Sequence, residues 1–417
     1  MERLVLEEFN HWWFKNKVDL DLTLSFKRDV FYEVNKHISD RFIISLVGLR
    51  RIGKTTLMYQ LIQNLIDNST EPTNIVFFSF DEKSVKLSEV IQSYVDISNK
   101  DLRKERVYIF LDEIQKLDNW EDELKKYYDL YPKIKFFISG SESLFIQNKT
   151  KETLAGRIIQ FTLNPFSFKE YIKFNGVDNK KLYETPIRSL FNKFILRGGF
   201  PETFSLKNDI EFREYIRALV VDRIIYKDIP TLFSIDDPSF LIVLLELIST
   251  NPGMYIDYES LSRQFGKDRR VIKNYILYLE KSFLITMLGN YRKGAVATLR
   301  KRKRVYPTDN ALIFLYKKSI DEAFFGRMVE TTAINYIKAN SFWKNANEID
   351  IVNNDIPIEV KYQEHINSED FKAIKEFMDK FSIKKGIIIT KKDEYEKNVE
   401  NGKIKLIPVW KWLLNPD

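Results

Sequence analysis

An apolar run from Phe42 to Val47 leads directly into GLRRIGKTT, Gly48 to Thr56, and an amphipathic stretch carrying Leu57, Leu61, Ile62, Leu65 and Ile66 follows. The loop matches G-x-x-x-x-G-K-[ST] in full, with the strand before and the helix after that a phosphate-binding loop requires. Few folds accommodate such a turn. Gly48 and Gly53 let backbone N–H groups wrap phosphate oxygens, and the helix N-terminus adds a favourable dipole. Lys54 is placed to reach β- and γ-phosphates, and the Thr55 hydroxyl to ligate Mg²⁺. Arg51, Ile52 and Thr56 complete the contacting loop.

Three further apolar runs, Asn74 to Phe80, Val107 to Leu111 and Ile134 to Ile138, alternate with amphipathic segments. Short runs of β-branched and aromatic residues between helical stretches predict buried parallel strands of an α/β sheet. The run VYIFLDEIQKL delivers Asp112 to the sheet's C-terminal edge, where a carboxylate suits the magnesium ion. Glu113, next in the chain, suits a base that polarises an attacking water. This acidic pair favours hydrolysis over phosphoryl transfer to a small molecule. Asn148-Lys149-Thr150-Lys151 lacks the closing acid of a guanine-reading NKxD, so ATP is the expected nucleotide and ADP the product. KIKFFISGS brings Ser139 beside the γ-phosphate position. Arg157, before the next strand, is a candidate cation for the transferred phosphoryl, in cis or across a contact in a homo-oligomer; an ordinary surface arginine explains its spacing equally well.

The segments GLRRIGKTT, VYIFLDEIQ, FISGS, LAGR, LNPFSFKEY and LRGGFPETF together resemble the prokaryotic AAA-like, STAND-related ATPases common in archaea. The resemblance runs from about Phe26 to Phe204. It implies an ATPase core in which Gly48, Gly53, Lys54, Thr55, Asp112 and Glu113 hold nucleotide and metal, with Ser139 and Arg157 at the family's sensor-like serine and motif arginine. It also implies that a winged helix and a nuclease-like domain follow.

Composition narrows the class. A hydrophobic share of 44% with 30% charged residues excludes disorder, and the absence of cysteine excludes disulfide frameworks, zinc ribbons and thiol nucleophiles. No signal peptide or apolar run long enough to span a bilayer is visible, so a soluble cytoplasmic protein without membrane partners is expected. The net charge of +7 is uneven. Between Lys267 and Arg304 twelve basic residues face only Asp268 and Glu280, a local +10 that leaves −3 for the remainder.

Ser167 to Phe233 reads as a helical lid or adaptor punctuated by Gly198-Gly199-Phe200-Pro201. Beyond it, SFLIVLLELISTNPG, YESLSRQFG and DRRVIKNYILYLEKSFLI predict the three helices of a helix-turn-helix, and the basic stretch after Gly289 predicts a wing. Arg269, Arg270 and Lys273 begin the third helix, and Arg292, Lys293, Arg300, Arg302 and Arg304 lie on the wing. Such concentrated charge points to DNA phosphates, while a winged helix serving protein contacts would leave the same face merely solvated.

In the last hundred residues, helix (Phe325 to Asn340), strand (Glu348 to Val352), strand (Pro357 to Tyr362), helix (Ser368 to Phe381) and strand (Gly386 to Thr390) are expected. Strand parity sets Glu348, Asp350 and Val352 on one face, and Glu359, Lys361 and Gln363 on one face of the next strand. Glu330 lies on the apolar helix stripe of Ala333, Ile334 and Ile337, where a carboxylate needs a partner or a metal. Asp350…Glu359-Val360-Lys361 resembles the PD-(D/E)XK nuclease motif, and Glu330 matches that fold's helix carboxylate. The resemblance implies Mg²⁺ or Mn²⁺ held by Asp350, Glu359 and Glu330, with Lys361 orienting or activating water and Gln363 in support.

The expected class is therefore α/β: a P-loop NTPase parallel sheet with N-terminal arm (1–165), a helical lid (166–235), a winged helix-turn-helix (236–318) and a restriction-endonuclease-like, PD-(D/E)XK nuclease-like α/β domain (319–417). Two functions compete. One is an ATP-hydrolysing protein that binds DNA and cleaves it; the other is a nucleotide-dependent switch whose C-terminal domains bind without cutting.

Overall fold

The computed structural model describes residues 3–81, 85–140, 152–177, 184–292 and 303–415. The chain divides into two compact units, Met1–Asn164 and Pro165–Asp417.

In the first unit five strands, β1 (Ile43–Gly48), β2 (Ile75–Ser79), β3 (Val107–Asp112), β4 (Ile134–Gly140) and β5 (Ile158–Leu163), form a parallel sheet in the order β2-β3-β4-β1-β5. Every residue of β1 and β4 is buried, which is why their sequences are unbroken apolar runs. Phe110 and Phe137 stack with centroids 4.4 Å apart between neighbouring strands. Even Lys135 of β4 is fully buried, its ammonium donating to Asp40 Oδ1 at 2.7 Å and to the Phe42 carbonyl at 2.6 Å.

The N-terminal arm closes the edge at β2. Asn10 accepts from the Phe77 amide at 2.7 Å and donates to the Phe77 carbonyl at 2.9 Å, while the Trp13 indole donates to Ile75 O at 2.7 Å. An amide side chain thus supplies the pairing that another strand would give, and the edge is not left open.

β1 ends in Gly48, whose φ is +149°, and a Cβ there would lie 2.2 Å from the Leu163 carbonyl oxygen of β5. The loop can leave the sheet only because this position has no side chain. Gly53 (φ +93°) then starts the helix Lys54–Asp67.

The second unit contains a nine-stranded sheet among its described residues, in the order β13-β14-β12-β11-β10-β9-β7-β8-β6. Its strands are β6 (Met254–Tyr255), β7 (Ile285–Asn290), β8 (Arg304–Pro307), β9 (Ser341–Lys344), β10 (Glu348–Asn353), β11 (Ile356–Lys361), β12 (Lys385–Thr390), β13 (Tyr395–Val399) and β14 (Gly402–Pro408). The antiparallel set β6-β8-β7 joins the rest through parallel pairing of Gly289 with Ser341 and Asn290 with Phe342. The expected boundary at 318 is therefore crossed by a continuous sheet. The boundary at 235 is crossed by a core: Phe168, Phe191 and Ile195 of the expected lid pack in the same cluster as Leu288, Met328, Ile351, Ile358 and Ile389. A second cluster, with Trp343, Ile349, Val352, Phe377 and Ile388, is built around the helix Lys372–Phe381.

Three helices, Ser239–Thr250, Tyr258–Phe265 and Arg269–Lys281, follow in the expected order. Asp257 and Asp268 cap the second and third, and Gly266 at φ +61° terminates the second.

Two local expectations fail. The helix carrying Glu330, expected over Phe325 to Asn340, runs Glu322–Tyr336, and the strand Ser341–Lys344 that follows it was not anticipated. Between Ile349 and Val352 the β10–β9 register shifts, so simple alternation breaks: Val352 joins Ile349 in one cluster while Ile351 packs in the other.

Replacing Gly48 by Ala should lower the stability of the nucleotide-free protein by about 3 kcal/mol, a backbone-clash cost at the upper end for point changes. Urea denaturation checks this; an unchanged midpoint would mean that the loop leaves β1 by another path.

Candidate functional site

Parallel strands place all their C-terminal ends on one edge, so the ends of β1, β3 and β4 meet there. Thr55, at the first turn of its helix, donates to Asp112 Oδ2 at 2.8 Å. Ser139 Oγ donates to the other carboxylate oxygen of Asp112, and the Glu113 amide reaches Ser139 Oγ at 3.4 Å. Asp112 is 5% exposed and Lys54 7%. The Lys54 ammonium donates to the Gly48 and Leu49 carbonyls at 3.0 and 2.9 Å, inside its own loop. Three separate sequence segments thus converge within one hydrogen-bonded group.

Glu113 has a left-handed backbone (φ +53°), which turns the chain sharply after β3. Burial pushes its carboxyl above the ordinary glutamate range, and Asp112 adds to this against the opposing charges of Lys54 and Arg50. Arg50 is thus electrostatically part of the site, although its position inside the variable stretch of the loop motif gave no signal for it. Ile52 is fully buried, and its carbonyl accepts from Arg28 at 3.2 Å. Arg51 is exposed with φ +63°, and Thr56 is half-buried on the helix.

Arg157 sits elsewhere. Its carbonyl accepts from the Ile43 amide at 2.8 Å and Ile158 pairs with Ile43, so it lies at the start of β1. Five residues of strand, about 16 Å at ~3.3 Å per residue, separate that end from Gly48. Its guanidinium pairs with Asp129 at 3.3 Å. Of the readings open for it, action in cis, action across a contact and an ordinary surface role, this placement gives no support to the first, and sequence spacing does not reveal which end of the sheet a residue occupies.

In the second unit Glu330, Glu348, Asp350, Glu359 and Lys361 do come together, around an arginine. Arg304, expected on an exposed basic wing, is 8% exposed and turned inward from β8. Its Nη2 lies 2.8 Å from Glu330 Oε1, and its Nη1 lies 3.1 Å from Glu348 Oε1 and 3.3 Å from Asp350 Oδ1. Its Nε donates to the Gly253 carbonyl at 3.0 Å. Tyr306 donates to Glu330 at 2.6 Å and Tyr255 to Glu348 at 2.8 Å. Asp350 Oδ2 accepts from the Val360 amide at 3.0 Å, Glu359 Oε2 from the Asp350 amide at 3.2 Å, and Lys361 pairs with Glu359 at 2.8 Å.

Burial, reinforced by the Asp350 charge, pushes the Glu330 carboxyl up to about 7 and that of Glu359 up to about 8. Burial alone would lower Arg304; Glu330 first, then Tyr306, Asp350 and Glu348, outweigh it and hold the guanidinium charged. Lys361 is also raised, Glu359 overcoming its burial.

Among the described residues no group of three or more His, Cys, Asp or Glu is arranged to hold a metal ion. The metal reading of Glu330, Asp350 and Glu359 therefore does not fit this arrangement, whose positive charge comes from Arg304 and Lys361. Gln363 turns away, donating to His365 O and Asp370 at 3.0 and 2.8 Å.

Arg269, Arg270 and Lys273 are exposed on the helix Arg269–Lys281, opposite buried Ile272, Ile276 and Leu279; Arg269 pairs with Glu259 at 3.2 Å. Arg292 is half-buried. Lys293, Arg300 and Arg302 lie outside the described residues. Arg304, by its burial, is withdrawn from that basic surface.

Residues 40–172 match the family model described as an AAA domain. The first unit carries an AAA-type P-loop domain. Residues 188–318 and 324–412 match two domains of unknown function, DUF8612 and DUF4143. A curated relative, the uncharacterized protein MJ1544 of Methanocaldococcus jannaschii, is 26% identical over 423 residues, covering 91% of each chain. Among solved structures, the Aeropyrum pernix ORC1 protein in complex with DNA gives a TM-score of 0.34 at 12% identity, over 73% of this chain and 94% of that one. A STAND protein with a tetratricopeptide repeat sensor from Pyrococcus horikoshii gives 0.31 at 14% identity, over 77% and 47%. At this distance neither lends its activity to the chain. Among the described residues no helix is long and apolar enough to cross a membrane.

Gly253 has φ +83°, and a Cβ on it would sit 2.6 Å from Arg304 Nη2. Gly253→Ala should therefore cost about 2 kcal/mol by forcing the guanidinium off its carboxylates. A denaturant midpoint equal to wild type would show that Arg304 adapts without loss.

Proposed function

We propose that the AAA domain binds and hydrolyses ATP with Mg²⁺, and that the second unit reads the nucleotide state as a DNA-binding, non-cleaving module. The hydrogen bond between Thr55 and Asp112, at the N-terminus of a helix and beside Lys54, is the observation that supports the nucleotide reading most. A hydroxyl and a carboxylate are hard oxygen donors of the kind Mg²⁺ takes, and this ion usually completes its shell with phosphate and water. Bound there, held by Thr55 and Asp112, the ion would supply the positive charge that offsets negative charge on the phosphates during hydrolysis.

The protein's own groups then have distinct roles. Lys54 exchanges the Gly48 and Leu49 carbonyls for phosphate oxygens. Loop amides and the helix N-terminus hold the phosphates. Glu113 accepts the proton of the attacking water, and Ser139 keeps Asp112 and Glu113 in register. Arg157, placed at the far end of β1, takes part only if a second copy of the chain presents it, which makes a homo-oligomer part of this reading.

The exposed row Arg269, Arg270 and Lys273 supports DNA binding, since phosphate neutralisation needs solvent-facing cations on one surface. Cutting is a different matter. Arg304 at the centre of the acidic cluster favours the non-cleaving alternative for the C-terminal segment.

Lys54→Ala should abolish ATP hydrolysis, and Glu113→Gln should retain ATP binding while losing about 10²-fold or more in turnover, the usual scale for a general base. Wild-type phosphate release in either variant would remove the site. Reversing Arg269, Arg270 and Lys273 to Glu should weaken DNA binding and flatten its dependence on salt. An unchanged salt slope would reassign this face to protein contacts.

A further inference from the structure

After the sharp bend at Glu113 the chain winds at once into the 3₁₀ turn Ile114–Lys116. That turn is anchored. Ile114 is fully buried, the Glu113 carbonyl accepts from the Lys116 amide at 3.1 Å, and the Lys116 ammonium pairs with Asp81 beyond β2. The half-buried side chain of Gln115 is folded back onto Glu113, and its Nε2 donates to Glu113 Oε2 at 2.5 Å. An ionised carboxylate only accepts, so the amide faces it with nitrogen and its oxygen is the atom left over. That Oε1 is shut off from solvent and has no hydrogen-bond partner among the described residues. Native proteins rarely leave a buried acceptor unused. Because Oε1 and Nε2 share one carbon, this acceptor lies beside the carboxylate of the base.

We propose that Gln115 positions both partners of the attack on ATP: its Nε2 fixes the Glu113 carboxylate, and its Oε1 takes the second O–H of the water that Glu113 activates. The inference deepens the hydrolytic reading and rests on Glu113 being the base. A water held by one acceptor still turns about that bond, whereas two adjacent acceptors aim its lone pair. In the step itself the water oxygen bonds to the γ-phosphorus while the bond from that phosphorus to the β–γ bridging oxygen breaks. One proton passes to Glu113, the other stays on the new phosphate, and ADP leaves with the electron pair of the broken bond. Gln115 acts on the water and the base, so its contribution falls on turnover and not on nucleotide binding.

The test is steady-state ATP hydrolysis with Mg²⁺ by the full-length protein, with ATP binding followed by calorimetry, for Gln115→Met, Glu113→Gln and the two combined. Methionine keeps the length of the side chain and removes both donor and acceptor. Gln115→Met should lower kcat about tenfold or more, the factor that one hydrogen bond to a charged group carries, with KM and the Kd for ATP within about twofold of wild type. In the Glu113→Gln background the same change should cost less than about twofold, since aiming a water is idle without the base. Unchanged or faster turnover in Gln115→Met, a loss confined to KM, or an equal loss in both backgrounds overturns the proposal. Should Gln115→Met fail to fold, Gln115→Glu decides: it keeps the size but replaces the donor with a charge facing Glu113, so wild-type turnover in that variant overturns the proposal as well. The two readings fail differently. If Glu113 is not the base, Glu113→Gln itself hydrolyses ATP like wild type; if only the role of Gln115 is wrong, Glu113→Gln is slow and Gln115→Met is not.

Discussion

A parallel sheet has one C-terminal edge, and everything proposed for the first unit depends on what that edge collects. The hydrogen bond from Thr55 to Asp112 joins the end of β3 to the helix that follows β1, although the two residues are far apart in the chain. Ser139 from β4 completes the group by donating to the same carboxylate. Strand order makes this unavoidable: β3, β4 and β1 are neighbours, so their last residues are neighbours too. The loop can follow β1 only through Gly48, because β5 approaches too closely for any side chain. The chemistry is local, but its geometry is set by the packing of four strands.

The second unit obeys a different constraint. A buried guanidinium and several half-buried carboxylates must remain together, since separating a buried charge from its partners leaves it uncompensated at a cost of about 3 kcal/mol or more. Arg304, Glu330, Glu348 and Asp350 therefore tie β8, the helix Glu322–Tyr336 and β10 into one body. The continuous sheet and the shared apolar core reinforce that tie. The three helices between Ser239 and Lys281 and the C-terminal segment are parts of one compact unit. A signal reaching the exposed helix Arg269–Lys281 would act on a body that already includes the acidic cluster.

How much of this was legible in the sequence follows from what each pattern encodes. Strands β1 to β4 were placed to within a residue or two because strands buried on both faces must be continuously apolar. Thr55, Asp112 and Ser139 were found because a loop motif and two strand ends imply a single edge. Arg157 stayed open between action in cis, action across a contact and an ordinary surface role, because a motif position does not say which end of a sheet it occupies. Arg304 was grouped with a basic run, since charge counts are blind to the direction a side chain takes; only its place on β8, opposite the acidic hairpin, reveals its role. The alternation argument failed at Val352 because a bulge adds a residue that no polar–apolar pattern announces. β13, with the sequence YEKNV, is too polar to read as a strand and forms by pairing with β14 at the sheet edge.

The central claim is that Thr55 and Asp112 hold Mg²⁺ for a nucleotide bound at Lys54. Its most direct test is calorimetric titration of ATP into wild type and Asp112→Asn, each with Mg²⁺ and with the ion removed by chelation. One ATP should bind per chain, markedly tighter with Mg²⁺ in wild type, and that metal-dependent gain should disappear in Asp112→Asn. ATP binding that is equally strengthened by Mg²⁺ in both proteins would contradict the claim.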